Sequence, residues 1–482
     1  MKSLFRMTAW TLLSSVFALA VSQLSLDPVH AQRRPTGSQA DSQGSIVATT
    51  VAYVGQFYPL WFTYYQSLFG TPNRLIGPIR ISPLYHAVVA INDDTVYAST
   101  FLDLTAQPVI VTVPGTTLIY SVLTLDPYGT VFESGIGPQP TDITYALTGP
   151  EFTGTLPAGV TRIALPLDFM TLIFRVDKFS PAPDSVDQRA EADLYRLSLR
   201  LQTLSDYLND PSGGAPSIAP EAEFAVPFKT TADELIAKDA IAFLKQLQTA
   251  VASPNTPPLS PAAQALSNRF DDLFGSGEFG PPSGDTGVQR AQFIAGARAA
   301  HTLIMDRYLT HRGPTNWIHF TNIGAWGDQV IERASITGFC QYCNDIRTAA
   351  YYHTFWDGQG ALLNGSHPPG YVLTFPAGQL PQVERFWSLT AYTPQAIELV
   401  DNAQNKYVIA SYTPELQSNA DGSLSVYLAT ELPQGVPEAN WLPVPLGPFN
   451  IMLRIYGVVP NSNIANNTYV PPDIETLDPA AR

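Results

Sequence analysis

Apolar positions in the first third of the chain fall in short runs separated by turn formers. Ala87–Ile91 and Val96–Leu102 flank Asn92-Asp93-Asp94, Val109–Val113 stops at Pro114-Gly115, and Leu118–Leu125 stops at Asp126-Pro127. Short runs rich in β-branched and aromatic residues, bounded by Gly, Pro and Asx, predict strands of an antiparallel sandwich or barrel. Before them, Val47 to Leu68 is apolar and aromatic and predicts a helix interrupted at Gly55 and Pro59. After Ser180 the period changes. Leu194, Leu197, Leu201, Leu204 and Leu208 recur at helical spacing until Asn209-Asp210-Pro211. Thr231-x-x-Glu234 reads as a capping box ahead of Ile236, Ala240, Phe243, Leu247 and Val251. Ser260-Pro261 opens a third helix closed by Gly275, and a fourth runs from about Val288 to Tyr308. From Trp317 onward strands return at Tyr371–Phe375, Arg385–Tyr392, Tyr407–Tyr412, Leu424–Ala429 and Phe449–Tyr456, with Asp421-Gly422 as a hairpin turn.

The pattern predicts a mainly β protein with a helical insert (α+β): two antiparallel β-sandwich or jelly-roll-like domains plus a helical module. The expected divisions are a signal peptide over 1–31, a disordered polar leader over 32–46, an N-terminal β domain over 47–180, the helical module over 181–312 and a C-terminal β domain over 313–482. The first segment has a basic start at Lys2 and Arg6, an apolar run from Ala9 to Val21, and Val29-His30-Ala31 as a small-x-small cut site before Gln32. That run is short of the ~20 apolar residues of a membrane span, so cleavage is expected rather than anchoring. A periplasmic or secreted protein follows as the expectation, and not an integral membrane protein.

The 482 residues carry a formal charge of −15, which argues against nucleic acid as a partner. Cys340 and Cys343 are the only cysteines. In an exported chain the spacing favours a local disulfide, ahead of a redox pair; zinc needs about four ligands and has no second cysteine pair to use. No nucleophile elbow, zinc-protease helix, phosphate loop, dinucleotide loop or EF-hand loop occurs, and no cofactor or metal is expected.

The densest polar cluster is Asn92-Asp93-Asp94-Thr95-x-Tyr97. It reads either as an Asx turn or as an acid, Asp94, at a cleft mouth beside Tyr97. Asp357, in Asp357-Gly-Gln-Gly360, reads as a glycine-shaped turn or a polar binding loop. His319 lies between Ile318 and Phe320, surroundings that would shift its pKa. Trp317, Trp387 and Trp441 read as core aromatics or as a stacking platform for a sugar or an apolar ligand.

A longer set of residues carries a family likeness. Asn92-x-Asp94-Thr95-x-Tyr97, Asp103-Leu104, Pro108, Pro114, Tyr120, Asp126 and Tyr128 resemble the bacterial domain of unknown function 1254. Asn316-Trp317, Gly324, Arg333-Ala334, Asp357-Gly358, Gly365, Phe386-Trp387-Ser388, Asn440-Trp441-Leu442-Pro443 and Arg454-x-Tyr456 resemble its usual partner, domain of unknown function 1214. The resemblance implies two β-sandwich-like domains with helices between or around them, in envelope-associated or secreted proteins, and no catalytic role. Cys340-Gln-Tyr-Cys343 departs from that pattern.

The functional expectation is an exported cell-envelope protein binding a glycan, lipid or small molecule in a cleft between two β domains, with Asn92, Trp317, His319, Asp357, Trp387 and Trp441 as candidate binding residues. The alternative is a hydrolase- or lyase-type enzyme using Asp94, Tyr97 and Arg333 in that cleft.

Overall fold

The structure, a computed structural model, describes residues 37–78, 80–213, 219–220, 224–275 and 287–477. The expected signal peptide lies outside them, as do residues 32–36 of the expected leader; helix α1 (Gly37–Ser67) begins within that leader.

The N-terminal sandwich has ten strands: β1 (Ile76–Gly77), β2 (Thr95–Asp103), β3 (Val109–Val113), β4 (Tyr120–Leu125), β5 (Val131–Phe132), β6 (Ile143–Thr148), β7 (Val160–Ala164), β8 (Phe169–Asp177), β9 (Arg200–Thr203) and β10 (Ala219–Pro220). They form one sheet ordered β10–β1–β2–β8–β4–β5 and another ordered β7–β6–β3–β9. Leu102, Val109, Val111, Leu147, Leu172 and Phe174 belong to the core that both sheets share. The C-terminal sandwich uses β11 (Ala349–Thr354), β12 (Tyr371–Phe375), β13 (Val383–Tyr392), β14 (Val408–Ala410), β15 (Leu424–Ala429), β16 (Trp441–Pro443), β17 (Asn450–Val458) and β18 (Ile474–Thr476). Its sheets are β11–β17–β13–β14 and β16–β15–β12–β18, with Leu373, Val426, Leu453 and Ile455 in the core between them. Both sandwiches are mostly antiparallel, as the mixed α+β reading expects.

From Ile46 onward the chain is one compact unit. Helices α4 (Phe228–Lys238), α5 (Ala240–Val251), α6 (Pro261–Phe274) and α7 (Gly287–Leu309) share a core with α1. Tyr53 stacks on Phe270 with centroids 3.8 Å apart, and Trp61 Nε1 donates to Gln246 Oε1 at 2.9 Å. The expected break in α1 does not occur: Pro59 lies inside the helix, and Gly55 marks a close crossing. A Cβ on Gly55 would sit 2.6 Å from Ile331 Cδ1 on α8 (Val330–Phe339), a helix absent from the sequence reading.

Three other expectations change. The leucine series from Leu194 is not one helix but α2 (Arg189–Ser198), strand β9 and α3 (Leu204–Asn209). Leu194 and Leu208 are exposed, and α2 instead buries Ala192, Tyr195 and Arg196. Edge pairing of β9 with β3 overrides the helical spacing. Thr231 sits inside α4, and Asp239 caps α5 through the Ala242 N–H at 3.1 Å. The Asp421-Gly422 turn carries the chain between the two C-terminal sheets and joins no paired hairpin.

The two sandwiches meet through the faces of β2, β8, β13 and β17 that point away from their own cores. A strand alternates sides at every residue. On β8, Met170, Leu172, Phe174 and Val176 fill the N-terminal core, which leaves Thr171, Ile173, Arg175 and Asp177 on the other face. On β13, Trp387, Leu389 and Ala391 face the C-terminal core, which leaves Phe386, Ser388, Thr390 and Tyr392 for the interface, and a register irregularity between Val383 and Phe386 lets Arg385 join them. Arg385 donates from Nε to Asp177 Oδ2 at 2.9 Å and from Nη2 to Oδ1, a two-bond fork joining the sandwiches.

Removing one partner of a buried pair leaves an uncompensated charge, at a cost of roughly 3–5 kcal/mol. Arg385→Met is expected to lower urea-unfolding stability by about that amount. The double variant with Asp177→Asn is expected to regain much of the loss, because it leaves no charge stranded; equal losses in single and double variants would rule out the pair as the joint.

Candidate functional site

The two interface faces do not close completely. Between them lies a cavity with about 920 Å³ of empty space, its open mouth included. Strand β2 lines it with Tyr97, Ser99, Thr100 and Phe101, and β8 with the alternate residues Thr171, Ile173 and Arg175. Tyr351 of β11 and Arg454 and Tyr456 of β17 come from the C-terminal sandwich. The segment Ala87–Ile91 forms another wall. Its apolar run was expected to be a strand, but it is irregular, with Ala90 at φ 56. It is apolar because it is clamped between the sandwiches: Ala90 N–H donates to Ile397 O at 3.0 Å, and Arg454 Nη2 donates to Ala90 O at 2.6 Å.

Cys340 and Cys343 are joined in a disulfide, and the loop they close supplies Gln341, Tyr342 and Cys343 to the wall. Gln341 Nε2 donates to Gln66 Oε1 at 2.6 Å, and Gln66 Nε2 donates back to Gln341 Oε1 at 2.8 Å, which ties that loop to the end of α1. The mouth is aromatic. Phe69 is 56% exposed and packs edge-on against Phe224, centroids 4.7 Å apart. The floor is polar and closed: Arg175 is 5% and Arg454 1% exposed.

Of the residues singled out from sequence, Asn92 and Tyr97 line the cavity. Asn92 Nδ2 donates to Tyr456 OH at 3.0 Å, and its Oδ1 accepts from the Asp94 N–H at 3.1 Å and the Thr95 hydroxyl at 3.2 Å. Burial pushes the Tyr97 phenol up to about 12. Asp94 does not reach the cavity surface. It is fully buried and accepts from Tyr412 OH at 2.5 Å and Ser388 Oγ at 2.9 Å. Burial raises its carboxyl pKa, against the opposing pull of Tyr412, Arg454 and Ser388. Arg333 lies on α8, where Nη2 donates to Gln56 O at 2.6 Å and Cζ stands 4.1 Å from the Tyr128 ring centroid. The structure therefore does not join Asp94, Tyr97 and Arg333: no hydrogen bond or ion pair links Arg333 to the other two.

The tryptophans face elsewhere. Trp317 and Trp387 sit in the C-terminal core, and Trp441 donates from Nε1 to Ala429 O at 2.9 Å. Asp357 accepts from the Gln359 and Ala361 N–H groups at 3.0 and 2.9 Å, the glycine-shaped turn. His319 stacks on Tyr352, centroids 4.2 Å apart, and burial lowers its pKa. Among the described residues no three His, Cys, Asp or Glu side chains gather as a metal site, and no helix is long and apolar enough to cross a membrane.

Sequence reasoning missed Arg175, Thr171 and Tyr351, and it quoted Arg454-x-Tyr456 only for the family likeness. The usable signal was a charge at alternate positions of an otherwise apolar strand, as in Thr171-Leu-Ile-Phe-Arg175-Val-Asp177.

Fold and site together define a two-sandwich protein with an aromatic-mouthed, arginine-floored cavity between its β domains. Residues 72–196 match the family described as "Protein of unknown function (DUF1254)" and residues 348–460 the one described as "Protein of unknown function (DUF1214)", so the chain carries both regions, in this order. The crystal structure of the VPA0106 protein from Vibrio parahaemolyticus is similar in fold, at 19% identity and a TM-score of 0.56, covering 90% of this chain and 100% of that one. An uncharacterised protein from Burkholderia cenocepacia has 14% identity and a TM-score of 0.43, covering 92% and 98%. No curated protein matches the chain.

His353, on the same face of β11 as Tyr351, gives the site's surroundings a pH signature. It is fully buried between Tyr308 OH at 2.8 Å and Asn450 Oδ1 at 2.6 Å, and burial lowers its pKa from 6.5 to about 3. The unfolded chain therefore binds a proton before the native one does. Stability present at neutral pH is lost as pH falls below 6.5, at ~1.4 kcal/mol per unit for this group. His353→Gln is expected to flatten the urea-unfolding stability profile between pH 6.5 and 5 by about 2 kcal/mol relative to the parent; an unchanged slope would mean that other groups set it.

Proposed function

We propose that this protein binds a small, largely apolar organic molecule in the cavity between its two sandwiches. The observation that carries the reading is the cavity itself, a concave gap between the two sandwiches with few polar groups on an aromatic and aliphatic wall. Phe69, Phe101, Phe224, Ile76 and Ile173 supply apolar surface. None of the described tryptophans lines it, which favours an acyl or aromatic body over a sugar ring. Binding is favoured over hydrolase or lyase chemistry because Asp94, the acid of that alternative, is bonded away from the cavity and Arg333 belongs to another neighbourhood.

Ser99 sits on the cavity face of β2, so a large side chain there fills the space. Calorimetry with decan-1-ol and methyl 3-phenylpropanoate is expected to detect binding to the parent protein. Ser99→Trp is expected to weaken it at least ~10-fold, while Ser99→Ala leaves it unchanged. No binding to the parent, or equal binding to a folded Ser99→Trp protein, would remove the cavity as the site.

We also propose that the protein works outside the cytoplasm, at the cell envelope or beyond. The support is the basic-apolar-small pattern of residues 1–31 and the disulfide between Cys340 and Cys343. Intact-mass measurement on material from a secreting host is expected to give a chain that starts at Gln32; a chain retaining Met1 would overturn the export reading.

A further inference from the structure

Asp93, Asp94 and Asp177, the described acids near the cavity floor, each have a partner, and one arginine there has only neutral ones. Arg175 donates from Nη1 to Asn344 Oδ1 at 2.7 Å and from Nη2 to Tyr342 O at 2.8 Å. Its Nε has no hydrogen-bond partner, and among the described residues no carboxylate forms an ion pair with the guanidinium. The adjacent Asp177 is held by the Arg385 fork, Asp93 by Lys178, and Asp94 by Tyr412 and Ser388. Arg454, the second guanidinium of the floor, likewise makes only neutral bonds, to Ala90 O and to Thr390 Oγ1 at 3.3 Å.

Among the described residues whose side chains bond across or line this interface, the buried Arg175, Arg385 and Arg454 face the buried carboxylates of Asp94 and Asp177, a positive excess even when both acids are ionised. The surrounding phenols do not balance it. Tyr97 titrates far above neutral pH, and burial also raises Tyr456. An unpaired charge removed from water costs several kcal/mol, and burial without a counter-charge calls for one from outside the chain. A carboxylate fits the vacant donor, because the edge of a guanidinium presents Nε–H and a neighbouring Nη–H side by side. The Thr171 hydroxyl, also without a partner, lines the same cavity and adds a donor. A single negative charge balances the excess, whereas a phosphate dianion would overshoot it. The exposure gradient from Phe69 at the mouth to Arg175 at the floor gives the ligand a direction: apolar body outward, acid inward.

We propose that the cavity takes an amphipathic monocarboxylic acid, whose carboxylate is received by Arg175 at the floor and whose acyl or aromatic body lies along the apolar wall. The inference rests on the binding reading above and assigns its ligand class.

The test compares ligands of equal body and different head by calorimetry at pH 7.5: decanoate against decan-1-ol, and 3-phenylpropanoate against its methyl ester. The parent protein is expected to prefer each carboxylate by on the order of 100-fold, the worth of charge-assisted bonds in a dry site. Arg175→Met is expected to erase that preference while the neutral ligands still bind. Should Arg175→Met not fold, Arg175→Lys carries the test. It keeps the charge and loses the fork, and the expected result is a drop in carboxylate preference of at least ~10-fold. Neutral ligands bound as tightly as carboxylates by the parent would overturn the assignment and leave the binding reading standing. Preference retained in Arg175→Met or Arg175→Lys would overturn the role of Arg175. No binding of either kind would sink the binding reading and this inference together.

Discussion

Strands β8, β11, β13 and β17 are buried on both faces, and one face of each carries polar or charged side chains. Such a strand has only one stable arrangement. Its apolar positions fill the core of its own sandwich, and its polar positions must find partners on something packed against the outside. Here that something is the other sandwich. Asp177 of β8 meets Arg385 of β13, Asn92 meets Tyr456 of β17, and Asp94 meets Ser388 and Tyr412. Two sheets that paired only by apolar contact would slide; these are held in register by bonds whose breakage strands a buried charge.

The same constraint explains why the cavity is where it is. Two twisted sheets held by fixed polar contacts cannot fill every gap between them with side chains of their own. The contacts that close the interface run through Asp94, Asp177, Arg385 and Tyr412. The unfilled space lies beside them, along Tyr97, Ser99, Phe101, Thr171, Ile173 and Arg175. The Cys340–Cys343 loop and the end of α1 then cap the gap through the reciprocal Gln66–Gln341 bonds. Joint and cavity thus draw on one strand pair: β8 carries Asp177 of the joint, and β2 and β8 together line the cavity.

Much of the fold was legible in the chain. Tyr371–Phe375, Leu424–Ala429 and Val109–Val113 emerge as strands with the expected bounds, and Ser260, Pro261 and Gly275 bracket α6 as expected. These are local signals, in which the residues that fix the element lie within it. The failures have the opposite character. Leu194 and Leu208 keep helical spacing yet are exposed, because β9 is claimed by β3 across the sheet. Ala87–Ile91 looks like a strand because it is apolar, but its burial comes from Ile397 and Arg454, more than 300 residues away by chain.

The site divides along the same line. Asn92 and Tyr97 belong to a dense local cluster and were visible; Arg175 lies in a mostly apolar strand, with Asp177 as its only charged companion, and was not. Asp94 shows why density of polar residues misleads. It was the most attractive acid in the sequence, and the structure gives it two hydroxyl donors and no route to the cavity. Its position still matters to the floor, because its charge bears on Arg454 while its hydrogen bonds go to hydroxyls, and both guanidiniums of the floor bond only to neutral groups. A single strong Asp–Arg pair at the floor would have made the interface self-sufficient and the cavity an inert packing defect. With the acid bonded to Ser388 and Tyr412 instead, Arg175 and Arg454 keep neutral hydrogen-bond partners beside the cavity.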